Sequence, residues 1–193
     1  ICHFLHCQRF ARPGKVMLGA DSHTPTSGAL GMLAIGSGGL PVAEAALGQG
    51  FRMNVPKVMG VKLAGRLHPG VTAKDIALEL LRQVSVKGGI GYIVEYCGDG
   101  VKELSISERQ TIANMSIEIG ATTGIFHSDE RTREFLKAQR RESDYVPLRP
   151  EEGATYDKVV EIDLDRLEPL VAEPSMPDKV CTARKAEGVK PGS

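Results

Sequence analysis

The chain has 193 residues, of which 41% are hydrophobic and 25% charged, an ordinary composition for a globular protein with one domain or parts of several. Lysine and arginine together number 24, as do aspartate and glutamate, so the formal net charge of zero argues against nucleic acid or an anionic membrane as a partner. No apolar run approaches the roughly 20 residues of a membrane span. The first residues contain no initiator methionine, basic segment or apolar targeting core, so we expect the sequence to start inside a larger protein or to have been trimmed.

The four cysteines are spread along the chain without a CxxC pair. They are Cys2, Cys7, Cys97 and Cys181. A chain of this length, rich in regular patterns, does not need disulfides as staples, so we predict reduced thiols in a cytoplasmic protein. The spacing offers no chelating pair, so these four residues alone are not expected to build a complete metal site.

The first half of the chain predicts short strands that alternate with helices. Residues 15–19 form an apolar run typical of a buried strand. Pro41 opens a helix that Gly48 ends, since proline is favoured in the first helical turn and glycine just past the last. Residues 58–63 predict a second strand. A helix over Ala73–Val84 then follows, opened by the capping-box variant TAKD at residues 72–75.

The second half continues the alternation. Residues 87–91 predict a flexible loop and Tyr92–Cys97 a strand. Two helices are expected, one over residues 107–119 with Gly120 as its stop, and one from the acidic turn after Ser128 to about residue 139. Residues 156–164 predict a strand, and the proline-punctuated tail from residue 168 is typical of a linker. The alternation indicates the α/β class.

The densest polar cluster is Asp21, Ser22 and His23, which follows the first strand and precedes a glycine-rich turn. Ligands bind beyond the carboxyl ends of strands in open α/β sheets, so the position suits a site. These side chains could bind a carboxylate, move a proton or simply cap a helix, and ordinary turn chemistry is an equal alternative.

A second candidate pair lies on the helix predicted over residues 107–119. Asn114 and Glu118 are four residues apart, which places them on one helical face among apolar neighbours. A buried carboxylate is costly unless it is paired, and an imidazole would be a suitable partner. The alternative is an exposed glutamate at the end of the helix.

The remaining histidines and the glycine-rich loops give weaker evidence for a functional site. His3 and His6 are candidates near the start of the chain, whereas His68 and His127 precede a turn and a helix cap and are expected to face solvent. The loops at residues 36–39 and 87–91 match neither the P-loop nor the dinucleotide-binding pattern, so nucleotide binding is not expected. A serine-hydrolase triad at Ser22 is not expected either, because adjacent residues do not converge in space.

Several segments resemble one known family in order and at matching intervals. They are residues 19–31 (GADSHTPTSGALG), residues 86–91 (VKGGIG) with the following VEY, residues 111–123 (TIANMSIEIGATT), the opening ICH and residues 9–14 (RFARPG). This combination resembles the aconitase and isopropylmalate dehydratase family over nearly the whole chain. The resemblance implies an α/β fold with three-layer α/β/α domains, here partial. Residues 1–56 would complete a first domain, residues 57–172 form a second, and residues 173–193 lead into a third.

The resemblance also implies roles for individual residues. Imidazole–carboxylate pairs in this family surround an iron–sulfur cluster, and the pairs expected here are His3 with Asp21 and His23 with Glu118. The implied catalytic residues are His3, Asp21, His23 and Glu118, and the implied substrate-binding residues are Asp21, Ser22, His23 and Asn114. Phe4 stands where relatives usually have glutamine, which places one polar contact of the pocket in doubt.

The implied cofactor is a [4Fe-4S] cluster, although the segments that hold it in the family are absent from this chain. No metal ligand is expected here, and the cluster cysteines are expected beyond Ser193. The base of the family is a serine on a separate domain, which this chain does not match either. The chain alone is therefore expected to be inactive and to need the remaining domains or a small subunit as its partner.

The function implied for the parent protein is reversible dehydration of a hydroxy tricarboxylic acid, with aconitate hydratase favoured by residues 24–25 and 86–89. The alternatives are the large subunit of 3-isopropylmalate dehydratase, a homoaconitase, an inactive fragment, or a relative that binds RNA. RNA binding needs a positively charged cleft, and the net charge of zero argues against it.

Overall fold

The computed structural model describes residues 1–188. Its α-helices are α1 (Cys2–Arg9), α2 (Gly39–Ala46), α3 (Ala73–Val84), α4 (Ile106–Met115) and α5 (Glu130–Ala138). Its strands are β1 (Val16–Gly19), β2 (Leu33–Gly36), β3 (Lys57–Ala64), β4 (Tyr92–Cys97), β5 (Thr123–Phe126), β6 (Lys158–Asp163), β7 (Leu170–Ala172) and β8 (Val180–Thr182). The 3-10 helices are Thr24–Leu30, Asp99–Glu103, Ser116–Ile119, Glu142–Asp144 and Leu164–Arg166. No helix among these residues is long and apolar enough to cross a membrane.

A parallel sheet with the strand order β5-β4-β3-β6 forms the larger part of the fold. Alternate residues of β3 point to its two faces, and Met59, Val61 and Leu63 are fully buried on one of them. Side chains of α3 and α4 pack against this face in a single hydrophobic core. The helices connect parallel strands, so the α/β class predicted from the alternation is confirmed.

The capping box predicted for α3 is present. The Asp75 carboxylate accepts hydrogen bonds from the backbone nitrogen and the hydroxyl of Thr72 at 2.7 and 2.9 Å. Its other oxygen accepts from the backbone nitrogen of Leu170 at 2.7 Å, which ties the start of β7 to this helix. The apolar stripe of α3, which includes Ile76 and Leu80, is buried as its helical spacing predicts.

The smaller part of the fold is the parallel pair β1–β2, joined to the large sheet by the 3-10 helix Thr24–Leu30. We call this 3-10 helix the central segment. Every residue of the central segment is buried, and it packs against α4 and β5. A side chain at Gly28 would overlap the carbonyl oxygen of Gly124, so only glycine permits the backbones to approach this closely. The central segment therefore fixes β1–β2 against the large sheet.

Three local expectations differ from the structure. The helix expected to reach residue 119 ends at Met115 and tightens into a 3-10 turn. The strands β2 and β5 were not expected, because four residues each give too short a pattern. The tail expected to be a linker contains the antiparallel pair β7–β8. The expected domain limits stay predictions, and residue 56 lies in a stretch without regular structure between α2 and β3.

A buried ion pair joins α4 to the start of α5. The Arg109 guanidinium is fully buried and donates to both carboxylate oxygens of Asp129 at 2.9 and 2.7 Å. Burial alone would raise the pKa of Asp129, but the hydrogen bonds and charge of Arg109 outweigh it and hold that pKa below its ordinary value. Asp129 also caps α5 by accepting from the backbone nitrogen of Thr132.

We expect Asp129→Asn to lower the free energy of unfolding by about 3 kcal/mol, because asparagine keeps the cap but leaves the buried guanidinium without its counter-charge. Chemical denaturation at neutral pH measures this loss. The difference from the parent chain should shrink as the pH falls through the depressed pKa of Asp129, since the parent then loses the same charge.

The matched control is Glu134→Gln, which removes the carboxylate of an exposed pair with Arg131 at 3.7 Å and should cost less than about 1 kcal/mol. Equal losses in the two variants would contradict a structural role for the buried pair.

Candidate functional site

Asp21, Ser22 and His23 lie in a tight loop directly beyond the carboxyl end of β1. The backbone nitrogen of His23 donates to the Asp21 carboxylate at 2.7 Å, and the Thr24 hydroxyl donates to the Asp21 carbonyl at 2.8 Å. Asp21 and Ser22 are exposed while His23 is half-buried. The loop is therefore held by its own hydrogen bonds and still presents side chains at the surface. These residues can form a turn and contribute to a binding site at the same time.

Helix α1 brings a histidine to this loop. The His3 Nε2 atom lies 3.1 Å from the Asp21 Oδ1 atom, so the expected imidazole–carboxylate contact is formed. The His3 ring centroid lies 6.3 Å from that of His23 and 6.1 Å from that of His6. The Nδ1 atoms of His3 and His6 are buried and make no hydrogen bond within residues 1–188. Three imidazoles and one carboxylate thus form a single cluster.

Asn114 at the end of α4 contacts the same loop. The His23 Nδ1 atom lies 3.4 Å from the Asn114 carbonyl oxygen. The Asn114 side-chain amide donates to the Thr26 hydroxyl at 2.9 Å, and that hydroxyl donates to the His23 carbonyl at 2.7 Å. The structure therefore brings together His3, Asp21, His23 and Asn114, four of the residues predicted for the site.

Thr26 is the residue of this cluster that sequence reasoning missed. Its hydroxyl is both donor and acceptor, so it sets the orientation of the Asn114 amide relative to the loop. The available signal was its place in the same turn as the polar triplet, but threonine there is equally normal as turn material.

The predicted pair of His23 with Glu118 is not formed. No ion pair in the described part of the chain joins these residues, and Glu118 is partly exposed rather than buried. The physical reason is the change of helix type after Met115. A 3-10 turn advances about 120° per residue instead of about 100°, so Glu118 does not stay on the face of Asn114. The catalytic role of Glu118 stays a prediction that depends on the resemblance alone.

A second imidazole–carboxylate pair was also missed. His127 follows β5, and its Nε2 atom lies 2.6 Å from the Glu95 carboxylate on β4. His127 was expected to face solvent, and its side chain is 26% exposed, so it is half-buried beside Glu95. The pair lines a cavity of about 190 Å³ with Arg149, apart from the residues predicted for the site.

The cysteines do not provide an iron–sulfur site within residues 1–188. No group of three or more histidine, cysteine, aspartate or glutamate residues there is arranged to hold a metal ion. Burial raises the pKa of the Cys7 thiol to about 11, so without a metal ion this thiol is protonated at neutral pH. The described residues therefore do not fit the role of cluster ligands, and the expectation that the ligands lie beyond Ser193 stays a prediction.

Comparison with known proteins gives one consistent result. Residues 1–190 match the sequence model of the aconitase family, described as aconitate hydratase. The chain is 43% identical over 188 residues to homocitrate dehydratase, mitochondrial, of Saccharomyces cerevisiae, with 92% of this chain and 24% of that protein covered. It is also 43% identical over 185 residues to aconitate hydratase, mitochondrial, of Arthroderma benhamiae, with the same two shares covered. The chain thus spans about a quarter of the length of these relatives.

We expect a double-mutant cycle of Thr26→Val with Asn114→Ala to give a coupling energy of about 1 kcal/mol in chemical denaturation. Valine keeps the shape of threonine but removes the hydroxyl that accepts from Asn114, so the two losses overlap.

The matched control is the cycle of Thr24→Val with Asn114→Ala. Thr24 donates to a carbonyl in the same loop but has no hydrogen bond to Asn114, so its coupling should be near zero. Equal coupling in the two cycles would reject the bridging role of Thr26.

Proposed function

Because the chain belongs to the aconitase family, we propose that it supplies substrate-binding and proton-transfer residues to a hydro-lyase that reversibly dehydrates a hydroxy tricarboxylic acid. The observation that supports this proposal is the His3–Asp21 contact beside His23 and Asn114. A base must remove a proton from carbon, and the resemblance assigns that role to a serine outside this chain. Beyond that base, elimination of water needs a hydroxyl that leaves with a proton and a substrate held firmly by its carboxylates. A cluster of imidazoles, a carboxylate and an amide at the end of a strand can provide both.

Asp21 is the organising group of the proposed site. Its Oδ1 atom accepts a hydrogen bond from the His23 backbone nitrogen and contacts the His3 Nε2 atom, so both partners of this oxygen belong to the protein. The contact favours the His3 tautomer with its proton on Nε2 and fixes the plane of the ring. We propose that the second oxygen of the exposed carboxylate accepts a hydrogen bond from the substrate.

His23 is the proposed proton donor to the leaving hydroxyl. A proton on its Nδ1 atom would make a long hydrogen bond to the Asn114 carbonyl, which leaves the Nε2 atom for the substrate. In the protonated ring Nε2 donates, and after transfer it accepts, as the reverse hydration requires. Asn114 and Ser22 are the proposed hydrogen-bonding partners of the substrate.

The family implies a [4Fe-4S] cluster, which supplies a Lewis-acid iron for the substrate hydroxyl when bound. Since the described residues contain no ligand set for it, we propose that its cysteines come from a segment beyond Ser193 or from another subunit. The chain alone would then lack activity, and the remaining domains or a small subunit would be its partners. The cytoplasmic location stays a prediction, while the relatives named above are mitochondrial.

The proposed substrates are citrate, aconitate and isocitrate, with homocitrate and 3-isopropylmalate as the alternatives. One relative is named for homocitrate and others for aconitate at similar identity, so the identities alone do not separate these acids. Turnover of each acid by an active preparation that joins this chain to the remaining domains tests the choice. Citrate should be turned over faster than homocitrate or 3-isopropylmalate, and turnover of 3-isopropylmalate but not citrate would overturn the proposal.

In the same preparation we expect His23→Ala to lower kcat at least about 100-fold, because it removes a proton donor to the leaving group. The melting temperature should change little, since the ring is partly exposed and makes one long contact. His68→Ala is the control, because His68 is exposed and lies outside the cluster. Unchanged turnover in the His23 variant would remove this residue from the mechanism.

A further inference from the structure

The carboxyl-terminal end of α1 is held by an arginine more than 130 positions further along the chain. The Arg141 Nη1 atom donates to the carbonyls of Cys7 and Gln8 at 3.3 and 3.0 Å, and its Nη2 atom donates to the carbonyl of Ala11 at 2.7 Å. The last carbonyls of a helix have no partner within the helix, and a cation near them is also favoured by the helix dipole. Arg141 therefore satisfies the end of α1 both by hydrogen bonds and by charge.

Arg141 is itself rigidly placed. Its side chain is 12% exposed, and its Nε atom donates to the Asp144 carboxylate at 2.8 Å. The other oxygen of Asp144 faces the Nε atom of Arg12 at 3.2 Å. Asp144 thus lies between two arginines, one from the segment after α5 and one from the segment after α1. We call Arg141 and Asp144 the clasp.

Apart from the clasp, α1 packs against the central segment. Cys7 is its only buried residue, and its large apolar residues Phe4 and Leu5 are exposed. Its N-cap, Ile1, supplies no side-chain hydrogen bond. The packing of Cys7 and the clasp both act on the carboxyl-terminal half of α1, whereas the contact described at its amino-terminal end is that of His3 with Asp21.

The site-facing residue of α1 lies at its opposite end. His3 is five residues before Gln8, a distance of about 7.5 Å along the helix axis at about 1.5 Å per residue. If the helix tilted by about 8° around Gln8, His3 would move by about 1 Å. A displacement of that size would break the 3.1 Å contact of His3 with Asp21. Small changes at the clasp are therefore amplified at the imidazole.

We propose that Arg141 is a positioning residue for the cluster of His3 and Asp21. It touches neither side chain and acts by setting the axis of α1, so that the His3 Nε2 atom meets the Asp21 carboxylate. The consequence for turnover rests on the proposed function, whereas the effect on the ring geometry does not.

The test is the ring nitrogen spectrum of ¹⁵N-histidine-labelled chain at about pH 9, where histidine is neutral. In the parent chain His3 should show the tautomer with its proton on Nε2, stabilised by Asp21. Arg141→Gln should change the His3 signals towards the tautomer mixture of a free histidine. The His127 signals should not change, because that ring is held by Glu95.

Two further variants separate positioning from loss of folding or of charge. Arg140→Gln removes the same charge from the adjacent exposed residue and should leave the His3 signals as in the parent. Arg141→Lys keeps the positive charge but cannot donate to the three carbonyls with the geometry of a guanidinium. Its His3 signals should therefore lie between those of the parent and those of Arg141→Gln. Where Arg141→Gln does not fold, Asp144→Asn weakens the clasp without removing its guanidinium and should give the same change in His3.

Unchanged His3 signals in a folded Arg141→Gln or Asp144→Asn chain would overturn the proposal, as would an equal change in Arg140→Gln. The Asp21→Asn chain completes the test. Because the carboxylate is already absent there, adding Arg141→Gln should cause no further change in the His3 tautomer. These outcomes are independent of turnover. If the preparation that joins this chain to the remaining domains is inactive while His3 responds as predicted, the proposed function is contradicted and the positioning role remains intact.

Discussion

The buried central segment, Thr24–Leu30, is the constraint on which the rest of the structure depends. It carries the polar loop at its start, and it packs between β1–β2 on one side and α4 with β5 on the other. The contact of Gly28 with the backbone of Gly124 is possible only without a side chain. Because an interior this closely packed does not deform freely, the loop before the central segment has one position relative to α4.

This constraint accounts for how distant parts of the chain form one site. His23 and Asn114 are 91 positions apart and meet because Thr26 in the central segment receives the Asn114 amide. The ion pair of Arg109 with Asp129 fixes the same helix against α5. From the other side, α1 contributes His3, and its axis is set at the far end. The side chains proposed to meet a ligand are exposed or half-buried, while the groups that place them are buried, an arrangement that would preorganise a site.

The sequence predicted features that depend on neighbouring residues. It did not predict features that depend on how two strands are aligned or on where an α-helix changes to a 3-10 helix. The capping box of α3 depends on two residues three apart, and the sequence displays both. The pair of Glu95 with His127 depends on the alignment of β4 with β5, a strand too short to predict. The shared face predicted for Asn114 and Glu118 was wrong because an α-helical spacing was extended past Met115 into a 3-10 turn, and the pair of His23 with Glu118, which the resemblance implied, is not formed. The contact of His3 with Asp21 came from the resemblance, since the opening residues showed no helical pattern.

The most direct measurement of the central claim is a nuclear Overhauser experiment on the histidine rings of the 193-residue chain. The account predicts cross-peaks between the ring protons of His3 and His23, whose centroids are 6.3 Å apart, and between His23 and Asn114. It also predicts that Gly28→Ala weakens the His23–Asn114 cross-peak, because the added methyl group forces the central segment away from β5. Absence of both cross-peaks in the folded parent chain would contradict the account, since the three side chains would then lie on separate surfaces.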